Sequence, residues 1–368
     1  QRLGTLLCEA ERHRDRTVEG LMNYLQWLAN QTTSMWWHDS ANKDELERAL
    51  SWGAVGMTTN PFLVNQTLSS QPDQWRDAIQ GAMELGGDEK VLGLVKAVTG
   101  HYAETLKPLY QQQRPGYGYV CAQTNPNKCG DYAYMLAQAK QFAAWFPNVV
   151  IKLPATKAGI RAYEECAALG YNVAATVGFT VPQVLAVAEA AKRGIGRARK
   201  NGLKTPLTIA VLMVGRLDDY LRDVAQDQQA DVSESDIRQA GTACIKKAYH
   251  LYAERGYETY LMPAGCRGAY HITALSGAKM IMSISVKIQG ELLALKGPFE
   301  TEIDKPVDEA VIRRLSTLAE FRKAYEEDGM QVEEFITYGS SNRTIDQFIN
   351  DGWNPLASMK RQYETQPV

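Results

Sequence analysis

The chain has 368 residues, 45% hydrophobic and 22% charged, with a formal charge of −2, an ordinary globular composition that excludes a disordered or collagen-like polymer. So even a balance offers no clustered excess of Lys and Arg for a nucleic acid or an anionic membrane, and leaves room only for a small local anion site. The length suits one α/β barrel domain over 1–368 with additions: a helical extension at 1–33, a barrel at 34–295 and C-terminal helices at 296–368.

In chain order, residues 1–33 place Leu21, Tyr24, Leu25 and Leu28 on one helical face. Eight short apolar runs then alternate with amphipathic stretches: SMWWHDS from Ser34, AVGMTTN from Ala54, YVCAQTN from Tyr119, NVVIKLPAT from Asn148, YNVAATVG from Tyr171, LTIAVLMVG from Leu207, TYLMPAG from Thr259 and AKMIMSIS from Ala278. Such alternation predicts βα units around a parallel sheet, and eight of them suffice to close a (β/α)8 TIM barrel. Leu46, Ala49 and Leu50 predict a helix after the first strand; Ile160, Tyr163, Cys166, Ala167 and Leu169 predict one after the fourth, ended by Gly170. The stretches 69–116, 191–206 and 218–256 exceed a minimal unit and read as helical insertions. A helical tail is expected over Pro306 to Met359, and exposed faces of the extra helices leave room for a homodimer interface.

Cys8, Cys121, Cys129, Cys166, Cys244 and Cys266 are widely spaced, with no C-x-x-C pair or His spacing for zinc, and read as buried thiols. With no apolar leader near the start and no run long enough to span a bilayer, this usage leads us to expect a cytoplasmic protein.

Side chains at the carboxyl ends of barrel strands converge on one mouth, so polar residues that interrupt the runs there are site candidates. Lys152 stands among Val149, Val150, Ile151, Leu153 and Pro154, where desolvation would lower its pKa and free the amine for attack on a carbonyl; the alternative is a lysine snorkelling to solvent. Asp39 ends the first strand as an acid/base candidate, or else caps the following helix, a task for which Ser40 and Asn42 compete. Thr58-Thr59-Asn60-Pro61 ends the second, with Thr59 and the Asn60 amide as substrate contacts or as parts of a plain strand-to-helix turn. Gln123 and Asn125 on the third strand and Thr176 on the fifth face the same mouth. Arg216 after the sixth and Arg267 after the seventh form a candidate phosphate clamp, with an Arg216 bridge to Asp218 or Asp219 as the alternative.

Taken together, WHDSAN, TTNP, K-L-P-A-T with the following A-G-I, VGRLD and the Gly-Cys-Arg at the seventh strand resemble the transaldolase family from about Met35 to Glu291. The resemblance implies Lys152 as a Schiff-base lysine, Asp39 as acid/base, Asn60 as substrate amide, Thr176 as a water-holding hydroxyl, and Arg216 with Arg267 as phosphate ligands. It implies transfer of a dihydroxyacetone unit between sugar phosphates, as in the pentose phosphate pathway. An iminium electron sink needs neither metal nor organic cofactor.

Four positions depart from that pattern. Gln123 stands where transaldolases usually have a glutamate, as in the related fructose 6-phosphate aldolases; Met213 replaces the tyrosine those aldolases carry, Ala174 an asparagine and Val211 a serine. Three readings therefore remain open: a transaldolase; an aldolase that releases dihydroxyacetone, or a transaldolase for a ketose with another anion such as sulfonate; and a catalytically silent sugar-phosphate binder.

Overall fold

Each of the eight apolar runs forms a strand in the computed structural model, which describes residues 22–360. They are β1 (Met35–Asp39), β2 (Met57–Thr58), β3 (Val120–Gln123), β4 (Val149–Pro154), β5 (Val173–Thr176), β6 (Thr208–Leu212), β7 (Tyr260–Pro263) and β8 (Ile281–Ser285). Their order is β7-β6-β5-β4-β3-β2-β1-β8, with every paired neighbour parallel. β8 also packs beside β7 without a hydrogen-bonded ladder, which leaves a nearly closed (β/α)8 barrel. Strands β3 to β6 are buried at every residue, because side chains fill the barrel on one face and helices cover the other.

The helix after β4, Lys157–Ala168, shows how local sequence sets its own limits. Thr156 accepts the Gly159 N–H at 3.0 Å at its start. At its end Gly170 adopts φ +79°, its N–H reaching Ala167 and that of Tyr171 reaching Cys166, both at 3.0 Å, so a left-handed residue closes the last turn.

The expected insertions are helical but differently bounded. Residues 69–116 hold Arg76–Met83, Gly87–Thr105 and Lys107–Tyr110. The stretch at 191–206 is no separate element: Val181–Lys200 runs unbroken from the end of β5, because its apolar face stays in phase and buries Val184, Val187, Ala191 and Ile195. The third insertion begins inside Val214–Asp227 and ends with Ala240–Glu254. Of the N-terminal extension, Tyr24–Gln31 is helical and buries Tyr24, Leu25 and Leu28, whereas Leu21 and Cys8 lie outside the described residues. Cys121, Cys166 and Cys244 are buried, but Cys129 and Cys266, on loops at the carboxyl ends of strands, are only half-buried. No helix among the described residues is long and apolar enough to cross a membrane.

At the C-terminal end the chain returns over the barrel mouth. Gly339–Gln347 is followed by a π-helical stretch, Phe348–Trp353, and by Asn354–Ser358. Gln347 bonds to Arg216 after β6, while Asp351 accepts from Asn65 at 3.2 Å on the helix after β2. Gly352 packs so tightly on Pro61 and Phe62 that any side chain there would meet their backbone at 2.7 Å. β2 and β6 lie on opposite sides of the barrel, so this segment is a strap across its mouth.

His38, completely buried on β1, ties the barrel to the helix after β8. Gln289 donates to its Nδ1 at 2.9 Å and to the Ile284 carbonyl at 2.7 Å, which fixes the imidazole as the Nε2–H tautomer. Burial lowers its pKa from 6.5 to about 4. The folded state therefore resists protonation, and stability falls as the pH drops from about 6.5 to about 4, by about 3.5 kcal/mol at roughly 1.4 kcal/mol per pKa unit. We expect His38→Gln, whose amide oxygen can accept from Gln289, to flatten that part of the urea-denaturation profile. Parallel wild-type and variant slopes there would exclude this origin.

Candidate active site at the barrel mouth

Lys152 points inward from β4 and is 7% exposed. Its Nζ donates to the Thr59 carbonyl at 3.0 Å, so it does not snorkel to solvent. In register beside it stand Gln123 on β3 and Ala174 on β5. Ala174 provides no polar group, which deepens the desolvation. That burial lowers the Lys152 pKa; Cys121 and Asp39 act in the opposite sense and the Arg216 cation adds to it. The Cys121 thiol is itself pushed up to about 11 by burial and is uncharged at neutral pH, so Asp39 is the anion that counts.

Asp39 does not cap the following helix: Leu46–Ser51 begins after Glu45 with no side-chain cap. Instead its Oδ1 accepts from Thr58 Oγ1 at 2.7 Å, and Thr58 Oγ1 lies 2.8 Å from Ser283 Oγ. Burial raises the Asp39 pKa, opposed by the Thr58 hydrogen bond and by the Lys152 and Arg216 charges. Lysine and aspartate are thus within electrostatic reach of each other, each displaced toward its uncharged form.

The other expected residues divide by what their polar atoms already hold. Gln123 Oε1 and Thr176 Oγ1 are buried with no hydrogen-bond partner, so both have capacity for a ligand or water. Asn60 caps Pro61–Ser70 through Oδ1, 2.9 Å from the Leu63 N–H, which orients its NH2 group without using it. Thr59 gives its hydroxyl to the Cys121 carbonyl at 2.8 Å. Asn125 is committed to the chain: its Nδ2 lies 3.2 Å from Asp88 and its Oδ1 accepts the Asn127 N–H at 2.9 Å. As substrate contacts, Thr59 and Asn125 would have to give up these bonds.

Arg216 sits in the first turn of Val214–Asp227 with its Nε buried and unpartnered. It bridges neither Asp218 nor Asp219. Its guanidinium donates to Gln347 Oε1 at 2.6 Å, and burial, with help from the neighbouring Arg267 cation, lowers its pKa to about 10, so it remains charged near neutrality. Arg267 is exposed and bonds Asp219 at 2.7 Å. The two cations come close because Gly215 has no side chain: a Cβ there would meet the Gly265 carbonyl oxygen at 2.4 Å and Arg267 Cγ at 2.6 Å. Gly265, at φ +60°, turns the loop.

A buried pair that sequence reasoning missed secures this loop. His271 Nδ1 accepts the Arg267 N–H at 3.1 Å, so its Nε2 carries the proton donated to Asp218 Oδ2 at 2.8 Å. Asp218 also accepts the Gly241 N–H at 2.8 Å. Thr58 was likewise visible only as part of the TTNP turn, with no signal that it holds Asp39.

A desolvated lysine within electrostatic reach of a carboxylate, with two arginines just after neighbouring strands, thus lies at the mouth of a (β/α)8 barrel, and family likeness makes this a barrel enzyme of the aldolase and aldehyde/ketone-transfer class. A family model described as Transaldolase/Fructose-6-phosphate aldolase matches residues 36–355, and the chain belongs to that family. Among similar proteins are Transaldolase 1 of Streptomyces avermitilis, 29% identical over 280 residues covering 72% of this chain and 73% of that protein, and Transaldolase of Thermobifida fusca, 27% identical over 281 residues covering 69% and 73%. Transaldolase of Thiobacillus denitrificans is 28% identical over 257 residues covering 66% and 72%.

Replacing His271 by Leu removes the acceptor for the Arg267 N–H and leaves Asp218 buried without its side-chain partner. The expected cost is about 3 kcal/mol in urea denaturation, and a loss below about 0.5 kcal/mol would show that the pair does not secure the loop.

Proposed function

We propose that the chain is a transaldolase that passes a dihydroxyacetone unit between sugar phosphates through a Schiff base on Lys152. The observation that carries this reading is the buried amine, donating to the Thr59 carbonyl, lowered in pKa and within electrostatic reach of Asp39. Neutral Nζ attacks the ketose carbonyl carbon, and loss of water from the carbinolamine leaves an iminium. Asp39 takes the C4 hydroxyl proton as the C3–C4 bond breaks; the bonding pair flows into the iminium and gives an enamine, while the aldose leaves. Attack of the enamine on an acceptor aldehyde and hydrolysis complete the transfer. The raised proton affinity of Asp39 suits it to this role. In this reading Gln123 and Thr176 hold the water that is lost and regained, a role supported by their buried, unpartnered oxygens. Asn60 offers its NH2 to a sugar hydroxyl, and Arg216 with Arg267 anchors the phosphate, so that remote binding energy positions the reacting bond.

Gln123 favours a second reading. A glutamine there is what the related fructose 6-phosphate aldolases carry, so release of free dihydroxyacetone is the competing outcome, in which imine hydrolysis proceeds without a carboxylate proton carrier of the kind typically worth about 10²–10⁴ in rate. Product analysis with and without an aldose acceptor separates the two: free dihydroxyacetone formed without acceptor favours the aldolase.

Borohydride trapping with fructose 6-phosphate is expected to label Lys152, and a label on any other lysine would refute the assignment. The pH dependence has a definite sign. Because the folded pKa of Lys152 lies below the ordinary 10.5, the inflection for imine formation should fall below that value. Asp39 favours the ammonium form, so Asp39→Asn should move the inflection lower still. Trapping rates with dihydroxyacetone across the alkaline range read both shifts, and an upward shift in the variant would contradict this coupling.

A further inference from the structure

Gln347 was not visible as a site residue, yet it holds the better buried of the two arginines. It lies on the strap, 131 residues from Arg216 in sequence, and its Oε1 accepts from Arg216 at 2.6 Å. Phe348, the next residue, places its ring 5.7 Å from the same guanidinium. With the amide oxygen turned toward Arg216, its NH2 end is free to meet another group, and an NH2 group donates hydrogen bonds. Nearby, Arg216 Nε is buried and unpartnered, and Arg267 adds a second cation. An oriented amide donor beside two guanidinium groups recognises an oxyanion.

We infer that Gln347 is a direct ligand of the substrate's anionic head group, which makes the C-terminal strap part of the binding site. This rests on the reading of Arg216 and Arg267 as the phosphate clamp. The strap is anchored independently on the far side of the mouth: Asn65 donates to the Asp351 carbonyl, Trp353 Nε1 lies 3.3 Å from Asp88, and Gly352 sits against Pro61 and Phe62. Fixed at both ends, the strap presents the amide at one place. A neutral acceptor on Arg216 also suits the task. It gives the buried guanidinium one partner before substrate arrives without cancelling its charge, as a carboxylate would.

The test uses the full chain as wild type, Gln347→Ala and Gln347→Glu. Inorganic phosphate binding is measured by calorimetry, and borohydride trapping with unphosphorylated dihydroxyacetone is measured alongside. Gln347→Ala should weaken phosphate binding about three- to tenfold through one lost hydrogen bond. Gln347→Glu should weaken it by at least about tenfold, since its carboxylate pairs with Arg216 and repels the anion. Trapping by dihydroxyacetone, which lacks the anionic head, should change less than about twofold in Gln347→Ala; Gln347→Glu is read by phosphate binding alone, because a carboxylate on Arg216 also offsets the cation that helps hold down the Lys152 pKa.

Phosphate affinity unchanged in both variants overturns the inference. So does an equal loss of dihydroxyacetone trapping in Gln347→Ala, which would mark Gln347 as a structural prop of the whole mouth. If wild type binds phosphate but no lysine is trapped, the Schiff-base reading fails, and the phosphate comparison still decides the role of Gln347.

Discussion

The proposed chemistry depends on one constraint, an amine kept out of water. A lysine in solvent is protonated and inert toward a carbonyl, and the barrel changes that by packing apolar residues before and after it along β4 and an alanine beside it on β5. The same low-polarity mouth raises the proton affinity of Asp39. Two groups that would be an ion pair in water are thereby brought toward a neutral amine and a ready proton acceptor. Thr58 tempers the effect by donating to Asp39, so the carboxylate is oriented as well as desolvated.

Opposite this pair the problem is reversed, because two guanidinium groups must be held near each other while still charged. Arg267 is exposed and paired with Asp219; Arg216 is buried and meets a neutral amide. The His271–Asp218 pair, locked in one tautomer by the Arg267 N–H, sets the loop between them. Two glycines let the backbones approach. Polar residues here supply geometry as much as charge.

The departures from the family pattern gain physical meaning in this setting. Ala174 stands in register with Lys152 and withholds a polar partner, which favours the neutral amine. Gln123, in register on the other side, keeps an unpartnered oxygen but no titratable proton. The mouth therefore favours amine reactivity while weakening the case for carboxylate-assisted water activation.

Much of this was already legible in the chain. Short apolar runs at βα spacing determined the eight strands, a lysine inside one such run marked itself as misplaced charge, and Thr156 and Gly170 delimited a helix through their local backbone chemistry. Periodicity and caps act over a few residues, and such signals survive in one dimension. It could not show that residues 191–200 merely prolong one helix, or that Thr59 and Asn125 bind other parts of the chain. Nor could it reveal Thr58 beside Asp39, His271 beside Asp218, or Gln347 on Arg216. Those contacts join residues 19, 53 and 131 positions apart. Hydrogen bonding at such separations depends on barrel closure and on where the strap lands, and only the tertiary structure decides these.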